Sequence, residues 1–267
     1  MDQVRVLVTG ATGKMGQAVM KGILEDPGCS LVGAVDIRMT GIDVGTILGM
    51  ECLGVKVEED ISKAIDASLP DVMVDFTIPE VAQFNIKTAL RMNVYPVVGT
   101  TGLQEEELLE IYACCESENR GAFFAPNFAI GAVLMMQYAK NAAKYLPNVE
   151  IIELHHDHKM DAPSGTALRT AELISQSRSS DNRNGKYGFE KVAGARGCTY
   201  EGIQIHSVRL PGFVAHQEVI FGGQGQTLSI RHDSINRDSF IPGVLLAVKE
   251  APKRQGVVVG LENLLDL

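Results

Sequence analysis

The sequence has no tryptophan, no C-x-x-C pair and no run of apolar residues long enough to cross a membrane. A membrane-spanning helix needs roughly 18 to 20 consecutive apolar residues, so we expect no membrane association. The cysteines are odd in number and scattered, which is typical of buried or free thiols in a reducing compartment and argues against a disulfide framework. They are Cys29, Cys52, Cys114, Cys115 and Cys198.

Basic residues are also scarce relative to acidic ones. The chain has 24 Lys and Arg against 33 Asp and Glu, a formal net charge of −9. A surface of that sign repels phosphate backbones, so we expect no nucleic-acid partner. The first residues, Met1 to Arg5, lead at once into an alternating apolar segment and lack the features of a secretory signal. We therefore expect a cytoplasmic protein.

What is present is an ordinary globular composition. Apolar residues make up 45% of the 267 positions and charged residues 21%, so disorder, collagen-like repeats and coiled coil are excluded. This length corresponds to about two domains or one large domain.

In the first half, short β-branched runs alternate with helical patterns, which indicates a parallel sheet covered on both faces. The strand candidates are Val4–Thr9, Leu31–Asp36, Val55–Val57, Val72–Phe76, Val94–Val98 and Ala122–Ala125. The helix candidates are Met15–Glu25, Ile61–Ala67, Glu80–Met92 and Glu105–Ser117.

After Asn127 the pattern changes. A helix, a strand and a second helix are expected, then a polar loop at Ser177–Gly197 and three closely spaced strands that we interpret as an antiparallel sheet. These elements are Gly131–Tyr145, Glu150–His156, Thr166–Gln176, Ile203–Leu210, His216–Phe221 and Thr227–His232. The tail, with a helix at Ser239–Glu250 and a strand at Val257–Val259, is expected to return to the first domain.

The fold class is therefore α/β, with an N-terminal Rossmann-type parallel sheet domain and an inserted α+β domain whose sheet is mostly antiparallel. We expect residues 1–128 and 239–267 to bind a dinucleotide. Residues 129–238 would form the substrate-binding and oligomerisation domain.

A glycine-rich turn follows the first strand and opens the first helix, which is the context of a dinucleotide fingerprint. Its sequence is Gly10-Ala11-Thr12-Gly13-Lys14-Met15-Gly16. Glycines allow close backbone approach, and the helix N-terminus offers N–H groups to a pyrophosphate. Asp36, at the end of the second strand, is placed to bind an adenosine ribose, while Arg38 could accept the 2′-phosphate of NADP.

Two more segments fall at the carboxyl ends of predicted strands, the edge at which parallel sheets bind ligands. They are Gly99-Thr100-Thr101-Gly102 and Ala125-Pro126-Asn127-Phe128. Ordinary turn chemistry is the alternative interpretation.

The densest chemistry lies at the end of the strand Glu150–His156, where His155, His156, His158 and Lys159 fall within five residues. An extended chain would put His155 and Lys159 on one face and His156 on the other, whereas a turn would bring all three toward one cleft. No second carboxylate or cysteine motif completes a ligand set, so we expect no metal.

Ser164-Gly165-Thr166 then begins a helix just after Pro163. Backbone N–H groups and hydroxyls at the positive end of the helix dipole would form a seat for a carboxylate. A plain N-cap at Ser164 is the alternative.

The run Glu153-Leu-His-His-Asp-His-Lys-Met-Asp-Ala-Pro-Ser-Gly-Thr-Ala167 closely resembles the defining motif of the bacterial 4-hydroxy-tetrahydrodipicolinate reductases (dihydrodipicolinate reductases) of diaminopimelate and L-lysine biosynthesis. The glycine-rich start, V-D-F-T at Val74–Thr77, V-G-T-T-G at Val98–Gly102 and P-N-F at Pro126–Phe128 fit the same family in the same order.

The resemblance implies that His155 is the general acid/base and Lys159 the proton donor. It implies that His156, Gly165 and Thr166, with Ser164, bind the substrate dicarboxylate. It also implies NADH or NADPH as the cofactor, in contact with Gly10 to Met15, Gly99 to Thr101 and Ala125 to Phe128. Whether Asp36 or Ile37 matches the family's acidic position stays open. A homotetramer is implied as well, consistent with a sheet whose edges need covering.

Two other functions agree with parts of the sequence. A short-chain-type dehydrogenase also has G-x-x-G-x-x-G and needs Tyr and Lys four apart on a helix, which Tyr187 and Lys191 match, although Gly185 and Gly188 argue against a helix there. A catalytically silent NAD(P) sensor would have no use for the His155 and Lys159 cluster.

Overall fold

The computed structural model describes residues 3–178, 189–265 and 267. The chain divides into two compact units. The first consists of Met1–Phe128 and Phe240–Leu267, and the second of Ala129–Ser239. The chain thus leaves the first unit once and returns to it for the last 28 residues.

The first unit is built on a seven-stranded sheet in which all neighbouring strands are parallel, in the order β12-β6-β5-β4-β1-β2-β3. Its strands are β1 (Val4–Thr9), β2 (Cys29–Val35), β3 (Val57–Glu58), β4 (Val72–Asp75), β5 (Tyr95–Val98), β6 (Ala122–Phe124) and β12 (Val257–Val259). The central strands β1 and β4 are almost wholly buried because helices cover both faces, so they are apolar without alternation.

The helices of this unit are α1 (Lys14–Glu25), α2 (Val44–Leu48), α3 (Ile61–Ser68), α4 (Pro79–Arg91), α5 (Glu105–Ser117) and α8 (Ile241–Glu250). Their starts follow local chemistry. The Asp60 carboxylate accepts hydrogen bonds from two backbone N–H groups at the start of α3, and Gln104 and Glu107 form a capping box on α5. Pro79 occupies the first helical position of α4, where no backbone N–H is needed.

The strand order reverses between β1 and β4. The chain moves outward from β1 through β2 to β3 and then returns to place β4 on the other side of β1. The carboxyl ends of β1 and β4 therefore form a switch point, which is where open parallel sheets bind ligands. The predicted α/β class with a Rossmann-type parallel sheet is confirmed.

The second unit contains a five-stranded mixed sheet in the order β11-β10-β7-β9-β8. The strands are β7 (Asn148–His155), β8 (Cys198–Tyr200), β9 (Ile203–Arg209), β10 (Ala215–Gly223) and β11 (Gln226–Ser234). The helices are α6 (Ile130–Ala142) and α7 (Gly165–Ser177). Strand β7 lies at the centre, antiparallel to β10 and parallel to β9, and the other pairs are antiparallel.

One expectation about this sheet was wrong. The segments that become β9 and β10 are close in sequence and were interpreted as neighbours in an antiparallel sheet, but β7 lies between them. The connection at residues 210–214 crosses the end of β7, where the backbone N–H of Leu210 donates to the carbonyl of His155 at 3.1 Å. A five-residue link containing Pro211 and Gly212 is long enough to step over one strand, so short spacing did not imply pairing.

Other differences are smaller. The short helix α2 and strand β8 were not predicted, and a 3-10 turn at Arg237–Phe240 precedes α8, which was expected to begin at Ser239. The predicted polar loop at Ser177–Gly197 lies partly outside the described residues. Among the helices in the described part of the chain, none is long and apolar enough to cross a bilayer.

Candidate functional site

The glycine-rich turn sits at the carboxyl end of β1. Gly10 has a φ of +72°, and a Cβ there would lie 2.3 Å from the carbonyl oxygen of Phe76, so no larger residue fits. At Gly16 a Cβ would lie 2.2 Å from the Gly10 carbonyl oxygen, which means that helix α1 packs directly on the turn. Gly13 forms the N-cap of α1 without a side chain. The strand end, the turn and the first turn of α1 thus pack as closely as a dinucleotide fingerprint requires, and these residues fit a dinucleotide.

Asp36 holds this turn to the end of β2. Its carboxylate accepts hydrogen bonds from the Thr12 backbone N–H (3.0 Å) and hydroxyl (2.7 Å). It also forms an ion pair with Arg38 (3.2 Å). Burial alone would raise the pKa of Asp36, but the bonds from Arg38 and Thr12 outweigh it and keep the pKa below its usual value. The Arg38 side chain is largely exposed, as is Ile37. Of the two candidates for the acidic position, Asp36 is the residue joined to the glycine-rich turn.

Asp75, at the carboxyl end of β4, is a second and deeper acid. It has no exposed surface, and five hydrogen bonds from uncharged donors reach its two oxygens. The donors are the Thr9 hydroxyl (2.6 Å), the Asn85 amide (3.0 Å), the Thr77 N–H (3.2 Å) and hydroxyl (2.8 Å) and the Thr100 hydroxyl (2.6 Å). Asp75 thereby joins the ends of β1, β4 and β5.

The other two predicted cofactor segments follow β5 and β6. Thr100 is fixed by Asp75 and accepts the Thr77 backbone N–H at 2.9 Å, while Thr101 is exposed. Phe128 is buried, with its ring centroid 5.7 Å from that of Phe76 and 6.1 Å from that of Phe123. Its side chain belongs to the core, so Phe128 can offer a cofactor only its backbone. Ala11 and Ala125 are buried in the same way, whereas Lys14 and Pro126 are exposed.

The second cluster lies in the other unit, at the end of the central strand β7. The strand stops at His155 and the chain turns, with the Lys159 backbone N–H donating to the His156 carbonyl at 3.1 Å. Of the two conformations that the sequence allowed, the turn is therefore the one observed. The side chains of His155 and Lys159 are 13% and 21% exposed, so each is sheltered but reachable, and His156 and His158 are open to solvent.

Glu153 lies beneath this turn with no exposed surface. Its carboxylate accepts hydrogen bonds from both terminal nitrogens of Arg209, at 2.7 and 2.8 Å. One of its oxygens lies 2.5 Å from Nδ1 of His155. Burial by itself would raise its pKa, but the bonds from His155, Arg209 and Ser207 prevail and lower the pKa of Glu153 to about 2. Glu153 is therefore an ionised buried carboxylate.

Lys159 is held by Asp161. Its ammonium contacts both carboxylate oxygens, at 2.7 and 2.9 Å, and this hydrogen bond lowers the pKa of Asp161. Arg209 donates to the Asp161 backbone carbonyl at 2.8 Å. The lysine, the turn and the buried acid thus form one connected structure.

Helix α7 begins beside the same turn. Ser164 is buried, and its hydroxyl accepts a hydrogen bond from the Ala167 backbone N–H at 3.2 Å, so it is the N-cap of α7. Gly165 is exposed, and a Cβ there would meet no described atom within 4 Å. The first turn of α7, with Thr166 half-buried, therefore presents open space at the positive end of the helix.

The sequence did not single out Glu153, Arg209, Asp75 or Asp161. A signal existed for the first: Val149 and Ile151 face the core of the second unit, and the period of two places Glu153 at the next inward position, where an acid needs a partner. The partner, Arg209, comes 56 residues later and no local pattern connects the two.

The structure also bears on a metal site and on the short-chain dehydrogenase interpretation. Among the residues that the structure describes, no group of three or more His, Cys, Asp and Glu side chains is arranged to hold a metal. Tyr187, which the short-chain dehydrogenase interpretation requires, lies outside the described residues.

Comparison with known proteins agrees over both units. The family model described as dihydrodipicolinate reductase, N-terminus, matches residues 4–128, and the model described as dihydrodipicolinate reductase, C-terminus, matches residues 131–265. The chain is 52% identical over 263 residues to the 4-hydroxy-tetrahydrodipicolinate reductase of Moorella thermoacetica, with 98% of each chain covered. It is 51% identical over 267 residues to that of Desulfitobacterium hafniense, with both chains fully covered.

A solved structure also matches. It is the dipicolinate-bound dihydrodipicolinate reductase of Paenisporosarcina sp. TG-14, with a TM-score of 0.89, 42% identity and coverage of 98% of this chain and all of that one. The motifs, the fold and both halves of the sequence lead to one assignment: this chain belongs to the dihydrodipicolinate reductase family.

Proposed function

We propose that this chain reduces 4-hydroxy-tetrahydrodipicolinate to tetrahydrodipicolinate with NADH or NADPH, in the pathway to diaminopimelate and L-lysine. The net reaction takes up one hydride and one proton and releases one water. The observation that carries the proposal is the cluster at the end of β7, where His155, Lys159 and the start of α7 stand together in the motif of the family.

Two functions are needed on the protein side. Reducing a conjugated cyclic imine requires a proton source near the reacting carbons and positive charge to hold two carboxylates. Lys159 would donate the proton, with His155 as general acid/base. His156, Ser164, Gly165 and Thr166 would bind the dicarboxylate through imidazole, hydroxyl and backbone N–H groups. A substrate carboxylate would compete with Asp161 for the Lys159 ammonium.

NAD(P)H, when bound, supplies the hydride. The residues that would hold it are the glycine-rich turn from Gly10 to Met15 and the segments Gly99–Thr101 and Ala125–Phe128, all at the carboxyl edge of the parallel sheet. The tight fit at Gly10, where a side chain would collide with Phe76, supports this assignment.

Both cofactors are expected to serve. Asp36 would bond the ribose hydroxyls of NADH, and the exposed Arg38 would pair with the 2′-phosphate of NADPH. The Michaelis constants for the two cofactors should be of similar size, and a preference beyond about a hundredfold would contradict dual use.

The decisive experiment supplies freshly generated 4-hydroxy-tetrahydrodipicolinate and follows loss of nicotinamide absorbance for wild type, Lys159→Ala and His155→Ala. We expect turnover by wild type and a fall in kcat of roughly a hundredfold or more in each variant, with NAD(P)H binding unchanged. A variant that keeps nearly wild-type kcat would contradict the role of that residue. Tight cofactor binding without any turnover would instead favour a nucleotide sensor.

We also propose a homotetramer formed through the five-stranded sheet. Helices α6 and α7 cover one face, and the other carries half-buried apolar side chains, including Ile152, Leu154, Val208 and Ile220. Such a face is usually covered by a partner. Light scattering at micromolar concentration tests this, and a mass of 28.8 kDa would reject it.

The proposed compartment is the cytoplasm, since all five cysteines are free thiols. Fractionation of the source cells, with an enzyme of known compartment as the reference, would test the assignment.

A further inference from the structure

We propose that Glu153 is a positioning residue that orients His155 and anchors both the Lys159 turn and the start of α7, so that one buried charge assembles the reacting groups. The proposal rests on the proposed function, because it assigns Glu153 a part in that reaction. Glu153 does not need to touch the substrate, since it acts through the residues bonded to it.

The contact with His155 sets the orientation of the imidazole. Nδ1 of His155 lies 2.5 Å from a Glu153 carboxylate oxygen. An ionised carboxylate only accepts hydrogen bonds, so Nδ1 must carry a proton. The neutral ring is then protonated at Nδ1, which leaves Nε2 as the nitrogen that can exchange a proton with a substrate. This is the arrangement in which a buried acid supports a histidine acid/base.

A second set of contacts reaches Lys159. Glu153 binds Arg209 through two parallel hydrogen bonds, and the same guanidinium donates to the backbone carbonyl of Asp161, whose side chain holds the Lys159 ammonium. A two-point arginine pair has a fixed geometry, unlike a single contact to lysine. The buried carboxylate therefore fixes the position of the turn through Arg209.

A third contact reaches the proposed carboxylate seat. The Ser164 backbone N–H donates to the second Glu153 oxygen at 3.3 Å. Ser164 is the N-cap of α7, so Glu153 fixes the helix at the position from which its first turn faces open space. All three parts of the site thus converge on one side chain.

The described charged groups near His155 come from several elements. Glu153 comes from its own strand, Arg209 from β9, and Lys159 and Asp161 from the following turn, while the residue paired with His155 on β10 is Ala215. The start of α7 contributes Ser164, which is uncharged. The low pKa of Glu153 agrees with a permanent negative charge at this position.

Strand β7 also supplies a matched control. Glu150 is an acid that pairs with a histidine and an arginine, His206 (2.8 Å) and Arg196, as Glu153 does. It lies three positions earlier, on the opposite face of the sheet, and is partly exposed. Glu150→Gln therefore removes the same charge from the same strand without touching the site. Because that face is the one that we propose the tetramer covers, light scattering checks that the variant keeps the wild-type mass.

The experiment compares Glu153→Gln, Glu153→Asp and Glu150→Gln with wild type, measuring kcat and KM at neutral pH. For Glu153→Gln we expect kcat per folded molecule to fall roughly a hundredfold, with KM for NAD(P)H within about twofold of wild type. Glu153→Asp, which keeps the charge, should recover part of the lost kcat. Glu150→Gln should leave kcat unchanged.

A structural role alone would lower the folded fraction but leave kcat per folded molecule unchanged. If folded Glu153→Gln keeps a kcat within about threefold of wild type, the proposal is overturned. Should Glu153→Gln not fold, nitrogen NMR of histidine-labelled wild type reads the tautomer directly, with the His155 signal assigned from its loss in His155→Gln. A proton on Nε2 of neutral His155 would overturn the proposal, and a proton on Nδ1 supports it. Because this reading needs no turnover, it separates failure of the inference from failure of the proposed reaction.

Discussion

Asp75 in the first unit and Glu153 in the second are both carboxylates with no exposed surface, but their partners differ in kind. Asp75 is surrounded by hydroxyl and amide donors, whereas Glu153 has a guanidinium and an imidazole. Hydroxyl and side-chain amide groups can turn to accept a hydrogen bond instead of donating one. The Arg209 guanidinium can only donate, so it cannot reverse its role. The first arrangement joins the ends of β1, β4 and β5, and the second lies where we propose that a proton is transferred.

The largest expected effect comes from replacing each acid by its amide. In Glu153→Gln an NH₂ group must face an Arg209 nitrogen, because each carboxylate oxygen accepts one of them, and we expect a loss of about 3 kcal/mol or more in the free energy of unfolding. In Asp75→Asn the new NH₂ group can take the side that faces the Thr9 hydroxyl and the Asn85 amide, both of which can turn to accept. The remaining oxygen still accepts the Thr77 backbone N–H, so about 1 to 2 kcal/mol is expected. Urea unfolding at neutral pH measures both, and an equal or larger loss for Asp75→Asn would break the comparison.

A smaller effect is the pH dependence of the Glu153 contribution. The pKa of Glu153 is about 2 in the folded chain against an ordinary 4.5, so its stabilisation is complete above about pH 5 and is lost as pH falls toward 2. The shift corresponds to at most about 3 kcal/mol. The stability difference between wild type and Glu153→Gln should therefore shrink to less than about half by pH 3. Urea unfolding at several pH values tests this, and a constant difference would argue against an ionised Glu153.

The smallest effect is expected at a charged pair on the surface. Such a pair shows how much a charged partner contributes to stability without burial. Lys249 on α8 contacts Asp26 at 2.6 Å, and both side chains are partly exposed. Lys249→Met should cost about 0.5 kcal/mol at low ionic strength and less at high salt. Thermal unfolding at two salt concentrations provides the measurement. A cost close to that of Glu153→Gln would mean that a charged partner, without burial, is enough to account for the loss at Glu153.

Most of the fold could be predicted from local pattern. Strands β1 and β12 and helix α5 have the predicted bounds, because apolar runs and caps are encoded within a few residues. Pairing in the second sheet could not be predicted in the same way. Whether β9 lies beside β10 or beside β7 depends on packing across more than fifty residues, and the short turns gave the wrong neighbour.

The residues of the candidate site also differ in whether a local pattern identifies them. Residues carried by a continuous motif, such as Lys159 and Ser164, could be named from the sequence, whereas Arg209 could not. A side chain that contributes by meeting another at long sequence separation has no local signature. An inward-facing acid such as Glu153 shows that a partner is required but does not show which one.

The central position of β7 has a consequence for how the second unit folds. Strands β10 and β11 can pair as a local hairpin, and so can β8 and β9. Strand β7 must pair between these two hairpins. Its residue Glu150 pairs with Gln204 and with Ile220, which are 54 and 70 residues away in the sequence. Contacts of such high sequence separation form slowly, because the intervening chain must first be ordered. His155 ends that strand, so a refolding chain should acquire nearly all of its secondary structure before it acquires a complete site.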